Sequence, residues 1–268
     1  MTEGALDAGQ VERYARHLVL EDVGPEGQAA LLDASVLVVG AGGLGCPAIQ
    51  YLATAGVGRL GVVDDDVVER SNLQRQTLFR EDDVGASKAE RAAAFVAARN
   101  PDVAVDVHDR HLGPAEADLV AEYDVVLDCT DDVPTRFLLN DACRLAGVPL
   151  VHAAVDRFHG QVTTFAPDGP CYRCLFPEAP PADAVTDCAT AGVLGALPGT
   201  LGTVQATEAL RTVLGVGDSL AGRLLVYDAR GLTAEEVPLR ADPDCPLCGT
   251  DPAIDAVAAV TYEGDCSV

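Results

Sequence analysis

The sequence predicts an α/β fold built on a doubly wound, mainly parallel sheet. Short apolar runs alternate with helical segments from residue 35 to residue 155. The first run feeds directly into a glycine-rich turn, "GAGGLG" at 40–45, and beyond residue 156 the pattern changes to strand-like segments. Alternation of this kind places parallel strands in one sheet with helices on both faces, and the glycine turn at the first strand end makes the arrangement Rossmann-like.

The first 32 residues read as a helical arm, with a helix from about Asp7 to Leu32. "SVLVV" at 35–39 is a buried strand, because a continuous β-branched run suits a strand covered on both faces. The helix "CPAIQYLATAG" follows, stopped by Gly56, and then the strand "RLGVVD" at 59–64. A loop leads to the helix "SKAERAAAFVAARN", ended by Pro101. The strand at 103–108, a helix near 115–122, the strand "DVVLDCT" at 124–130, a helix over 135–146 and the strand "PLVHAAV" complete the repeats. "GQVTTFAP" and "GRLLVYDARG" then add antiparallel strands at the edge. The proline-rich, acidic segment 177–187 reads as a crossover loop, and "ATAGVLGALPG" after it as the possible start of a helix. One domain results: arm 1–32, nucleotide-binding half 33–156, antiparallel extension 157–249 and tail 250–268.

Against 18 basic residues stand 42 acidic ones, a formal charge of −24, and Lys88 is the only lysine. Nearly half the chain is apolar, which excludes a disordered acidic protein. The surface lacks the basic stripe that a nucleic acid or an anionic membrane requires. Solvation by carboxylates at high salt fits both the charge and the loss of lysine. The stretches Ala34 to Gly58 and Cys188 to Thr207 carry no charge. Their glycines and prolines favour a strand, turn and helix in series over a membrane span. "MTEGALDAGQ" has neither a basic start nor an apolar run, so a cytosolic location is expected, with cysteines as thiols or metal ligands.

Gly40, Gly42 and Gly45 match G-x-G-x-x-G between strand and helix, with Gly43 inside the turn and Asp64 closing the second strand. Such glycines let backbone approach phosphate at a helix N-terminus, and the carboxylate accepts from ribose hydroxyls. Alone, this indicates an adenine nucleotide, NAD foremost. "SNLQRQ" at 71–76 then sets Asn72, Arg75 and Gln76 beyond the carboxylate, with Lys88 heading the next helix. Clustered cations make sense where a triphosphate is held and its leaving pyrophosphate neutralised. An ammonium offers a compact charge where arginine brings a planar fork. Asp128 and Asp131 stand at the fourth strand's carboxyl end, Asp131 as the natural Mg²⁺ ligand and Asp128 as a capping or orienting group. "CYRC" and "CPLC" place Cys171 and Cys174 opposite Cys245 and Cys248, two hooks that form a closed, structural zinc site. Cys188, at the end of the crossover loop before a helical start, has the setting of a reactive thiol, whereas Cys46, Cys129 and Cys143 lie inside predicted elements as core thiols. Two other classes share part of this pattern: a nicotinamide-dependent oxidoreductase and a catalytically silent nucleotide-binding scaffold.

From about Val11 to Gly249 these motifs, with "RYARHL" before them and "AGVLG" among them, resemble the MoeB/ThiF family of ubiquitin-like-protein-activating adenylyltransferases, in the family's order and spacing. The resemblance implies ATP-dependent adenylation of a small β-grasp protein at its C-terminal Gly-Gly, followed by thioester formation or sulfur transfer. It implies adenosine held by Gly40, Gly42, Gly45 and Asp64, phosphates contacted by Asn72, Arg75 and Lys88, and magnesium held by Asp131. It also implies Arg16 reaching the active site of the other subunit of a homodimer. Cys188 stands where relatives that form thioesters or pass sulfur use a cysteine, and the halophilic composition fits an archaeal member serving molybdopterin synthesis, tRNA thiolation and protein modification.

Overall fold

A computed structural model describes residues 6–177 and 192–262. The strands are β1 (Ser35–Val39), β2 (Arg59–Val63), β3 (Ala104–His108), β4 (Val125–Asp128), β5 (Leu150–Asp156), β6 (His159–Phe165), β7 (Arg223–Asp228) and β8 (Thr233–Pro238). They form one eight-stranded sheet in the order β3-β2-β1-β4-β5-β6-β7-β8. The first five strands are parallel, and β5 to β8 pair antiparallel. Between β1 and β4 the chain reverses its direction of winding, so a crevice opens above their carboxyl ends.

The helices of this frame are α1 (Ala8–Arg13), α2 (Ala15–Leu18), α3 (Gly24–Asp33), α4 (Gly45–Ala55), α5 (Lys88–Arg99), α6 (Val133–Ala146), α7 (Tyr172–Leu175) and α8 (Ala196–Leu214). Successive strand residues point to opposite faces, and the core divides accordingly. Val36, Val38, Leu60, Val62 and Leu127 face Ile49 and Leu52 of α4 and Leu197 and Leu201 of α8. Leu37, Val39, Val126 and Leu150 face Leu138 and Leu139 of α6.

Several expectations change in detail. The arm is three short helices because Tyr14 turns inward between α1 and α2. Its hydroxyl donates to Asp102 Oδ2 at 3.1 Å and accepts from Asn100 Nδ2 at 2.9 Å. Residues 114–122 form a 3-10 helix, Pro114–Glu122, that buries Ala117, Leu119 and Val120 together, a tighter spacing than an α-helical stripe. Strand β8 was not foreseen. It carries no alternation, all six residues are exposed, and Glu235 and Glu236 leave a charged edge that discourages further pairing. Helix α8 runs for 19 residues through what looked like only a helical start. Its buried stripe includes Gln205 and Glu208, two polar groups that mask the periodicity. No described helix is long and apolar enough to cross a membrane.

Candidate active site

The crevice begins with the glycine turn. Gly40 has φ +93°, and a β-carbon there would come within 2.7 Å of the Cys129 carbonyl oxygen, so the turn tolerates only glycine. At Gly45, the first residue of α4, a β-carbon would run into the Gly40 carbonyl. The turn therefore folds tightly onto the carboxyl end of β4 and sets the α4 N-terminus, the positive end of its dipole, at the crevice. Gly42 and Gly43 line that crevice, and Pro198 of α8 packs against Gly43.

Asp64 lies one residue past β2. Its Oδ2 accepts from the Ala41 N–H at 2.7 Å and its Oδ1 from the Asp66 N–H at 3.0 Å, which fixes the carboxylate beside the glycine turn. Burial raises its pKa above the ordinary value, opposed by Lys88 and by those two N–H groups. Arg75 and Gln76 line the same wall. The Arg75 Nη1 donates to the Ser71 carbonyl at 3.3 Å, and Gln76 is buried with its Oε1 unpartnered among the described residues.

On the opposite wall, Asp131 stands exposed at the rim and Asp132 caps α6 by accepting from the Thr135 N–H at 2.8 Å. Asp128 is fully buried behind them. Its Oδ1 accepts from the Thr130 N–H at 3.1 Å and the Thr130 hydroxyl at 2.7 Å, and its Oδ2 from His152 Nδ1 at 2.7 Å. Burial alone would raise its pKa, but His152, Arg136 and Thr130 together hold it below the usual carboxylate value. The orienting role read from the sequence is what this geometry provides.

Gly40, Gly42, Gly43, Asp64, Arg75, Gln76 and Asp131 thus converge on one crevice. Lys88, Asn72 and Arg16 do not line it. Lys88 is 5% exposed at the head of α5, with its ammonium 2.6 Å from Asp66 Oδ2, behind Asp64. Asn72 is buried and folds its own turn, accepting from the Glu69 N–H at 3.0 Å. Arg16 is exposed on α2. Arg110, His111, Thr135 and Arg136 also line the crevice, although sequence reasoning passed over them. All four follow the carboxyl ends of β3 or β4, and the rule that placed Asp131 could have found them.

The four hook thiols meet beside α7. Their Sγ atoms are separated by 4.0 Å (Cys171–Cys174), 3.6 Å (Cys171–Cys245), 3.4 Å (Cys171–Cys248) and 3.3 Å (Cys174–Cys248). Tetrahedral zinc with bonds of about 2.3 Å sets its sulfurs roughly 3.8 Å apart, so the donors fit that ion. Backbone N–H groups support them: Asp242 donates to Cys174 Sγ at 3.4 Å. Cys46, Cys129 and Cys143 are buried core thiols, and burial raises the pKa of each. Cys188 lies outside the described residues, as does Cys266.

A model of the ThiF family matches residues 14–247. The chain is 57% identical over 265 residues to the SAMP-activating enzyme E1 of Haloferax volcanii, covering 98% of each. To the sulfur carrier protein adenylyltransferase of Thermus thermophilus it is 48% identical, with 97% of each covered. It is 52% identical to the adenylyltransferase and sulfurtransferase MOCS3 of Sus scrofa, over 98% of this chain but 58% of that protein's length. Among solved structures, the microcin C7 biosynthetic enzyme MccB in complex with N-formylated MccA superposes with a TM-score of 0.79 at 22% identity, covering 93% of this chain and 77% of that one. That last likeness speaks to the fold.

Proposed function

This chain belongs to the ThiF family, and from that premise we propose that it adenylates the C-terminal glycine of a small ubiquitin-like or sulfur-carrier protein, using ATP, as a ubiquitin-like-protein-activating enzyme. One observation carries the reading: 57% identity over nearly the full length of a SAMP-activating enzyme, with no large insertion or missing lobe between the two. The crevice supports it, because it pairs an anion-binding helix start with carboxylates and arginines on facing walls.

The attacking carboxylate is already ionised, so the reaction has little need of a general base. Positioning and charge neutralisation dominate. The glycine turn and the α4 N-terminus bind phosphate oxygens, and Asp64 accepts from the ribose. Arg75, Lys88 and Asn72 act toward the phosphates, with Gln76 beside them, and Arg75 and Lys88 draw charge from the leaving pyrophosphate. Asp131 is the residue to hold magnesium, which when bound neutralises phosphate charge and fixes its geometry. Val155 and Val193 add apolar lining to the same crevice. Arg16, exposed on α2, completes the cleft of a second copy, which makes the active species a homodimer. Sulfur of Cys188 or of an external donor then attacks the acyl carbon, forming the acyl–sulfur bond as the acyl–phosphate bond breaks and AMP leaves. Zinc bound by Cys171, Cys174, Cys245 and Cys248 is structural, because four thiolates leave no open coordination position. The setting is the cytosol.

ATP–pyrophosphate exchange tests the proposal, in concentrated KCl with magnesium and a Gly-Gly-ended carrier. Exchange should require both the carrier and its terminal glycine. Absence of exchange with every such carrier would refute the assignment.

A further inference from the structure

His152 takes no part in the chemistry above, yet it is 1% exposed and lies against Asp128, behind the second wall. Its Nδ1 can meet a carboxylate oxygen only as a donor, and it does so at 2.7 Å to Asp128 Oδ2. Its Nε2 has no partner among the described residues. A buried imidazole with half its polar capacity unused is held by something other than its own hydrogen bonding. The ring packs against Tyr172, with centroids 5.1 Å apart at 60°, and against Phe165 at 5.9 Å. Tyr172 directly follows the hook residue Cys171, and its N–H donates to Asn140 Oδ1 of α6 at 2.7 Å.

We infer that His152 is a positioning residue for the nucleotide: by fixing Asp128 it sets the Thr130–Asp131 turn and, through it, the glycine turn. The path is short. With Oδ2 held by His152, Asp128 presents Oδ1 to both the N–H and the hydroxyl of Thr130. The Thr130 carbonyl accepts from Arg136 Nη2 at 2.9 Å. Asp131 is the next residue, and Cys129, the residue before, lies against Gly40 so closely that a β-carbon would not fit. Asp131, Arg136 and Gly40 all line the crevice, so release of Asp128 moves three lining residues, on both of its walls, together. A histidine serving only as core filling would not need its single hydrogen bond spent on the carboxylate that holds this turn.

The inference rests on the reading that the crevice binds ATP, and the test separates the two. In the full chain at high KCl, His152→Leu removes the donor, His152→Asn restores one near the Nδ1 position, and Phe165→Leu is a packing control. Two quantities are measured: amide exchange of the segment 128–133, and KM and kcat for ATP in pyrophosphate exchange. The Leu protein should lose protection at Thr130 and raise the KM for ATP roughly tenfold, since a small misplacement of binding groups is costly. Asn should recover most of both, and Phe165→Leu, which loosens the ring but keeps the donor, should lower Tm while changing both far less than the His152→Leu substitution does. Wild-type protection and KM in the Leu protein, with only a lower Tm, would overturn the inference. If the Leu protein does not fold, Asp128→Asn should produce the same two changes, and unchanged values there would also overturn it. If the wild-type chain exchanges no pyrophosphate, the adenylation reading fails, and protection at Thr130 still decides the role of His152.

Discussion

Replacing Lys88 by methionine keeps the length of the side chain and removes its charge. The structure separates the consequences for stability from those for catalysis. Lys88 is buried, but its partner Asp66 is well exposed and remains hydrated when the ammonium is lost. A half-exposed pair of this kind contributes about 1 kcal/mol or less to folding. The transition state is another matter. If bound ATP draws the ammonium from Asp66 into the crevice, a unit charge about 4 Å from a phosphate oxygen, at an effective dielectric of about 20, is worth roughly 4 kcal/mol, or about a thousandfold in rate. Lys88→Met should therefore retain most of its Tm in concentrated KCl and lose about three orders of magnitude in kcat/KM for pyrophosphate exchange. Lys88→Arg should recover only part of this, because a planar fork does not fit the slot at the head of α5 as an unbranched stem does. Exchange within tenfold of wild type in Lys88→Met would refute the reasoning. The ammonium would then serve only to pair with Asp66.

Gly40→Ala should lower Tm and abolish ATP binding, at a cost of about 2 kcal/mol or more, because a left-handed φ and a backbone carbonyl both oppose a side chain. Gly42→Ala, where a β-carbon would meet only the end of Gln76, should leave Tm nearly unchanged by scanning calorimetry. For Asp64 the folded pKa is raised, so protonation favours the folded state; that contribution is present at low pH and is lost as pH rises through the folded value. Asp64→Asn removes that titration but turns an NH2 toward one of the two backbone N–H donors, so its Tm should vary less with pH than that of wild type while it binds ATP more weakly. Titration calorimetry should show wild-type affinity falling on acidification and the variant's staying flat. Zinc analysis should find one ion per chain, and chelation or Cys245→Ser should release it and lower Tm; a zinc-free protein of unchanged Tm would remove the ion from the account. Cys188→Ser should spare pyrophosphate exchange and abolish any thiol-sensitive adduct with the carrier, read by non-reducing electrophoresis.

Much of the first wall was legible because its chemistry is local. Gly40, Gly45 and Asp64 sit at strand ends, where one dipeptide decides the backbone and one carboxylate meets it, so spacing alone announces them. The cysteine hooks were legible for a similar reason: two C-x-x-C pairs carry the spacing of a metal site within a few residues each. Helix α8 was harder. Gln205 donates to the carbonyls of Asp128 at 2.7 Å and Val151 at 3.2 Å, and Glu208 accepts from the Leu220 N–H at 2.6 Å. Polar residues buried to satisfy distant backbone look, in one dimension, like a broken apolar stripe.

By itself, the chain determined the winding of its sheet, the glycine turn, the four thiols and the carboxylate beside that turn, since each depends on neighbours a few residues away or on a repeating period. Only the tertiary structure decided that Lys88 lies behind Asp64 against Asp66, that Arg136 shares the crevice with Arg75, and that His152 supports Asp128 from 24 residues away. Those relations join separate strands and helices. Long-range packing sets them, and no spacing in the sequence encodes the distance between side chains on different elements.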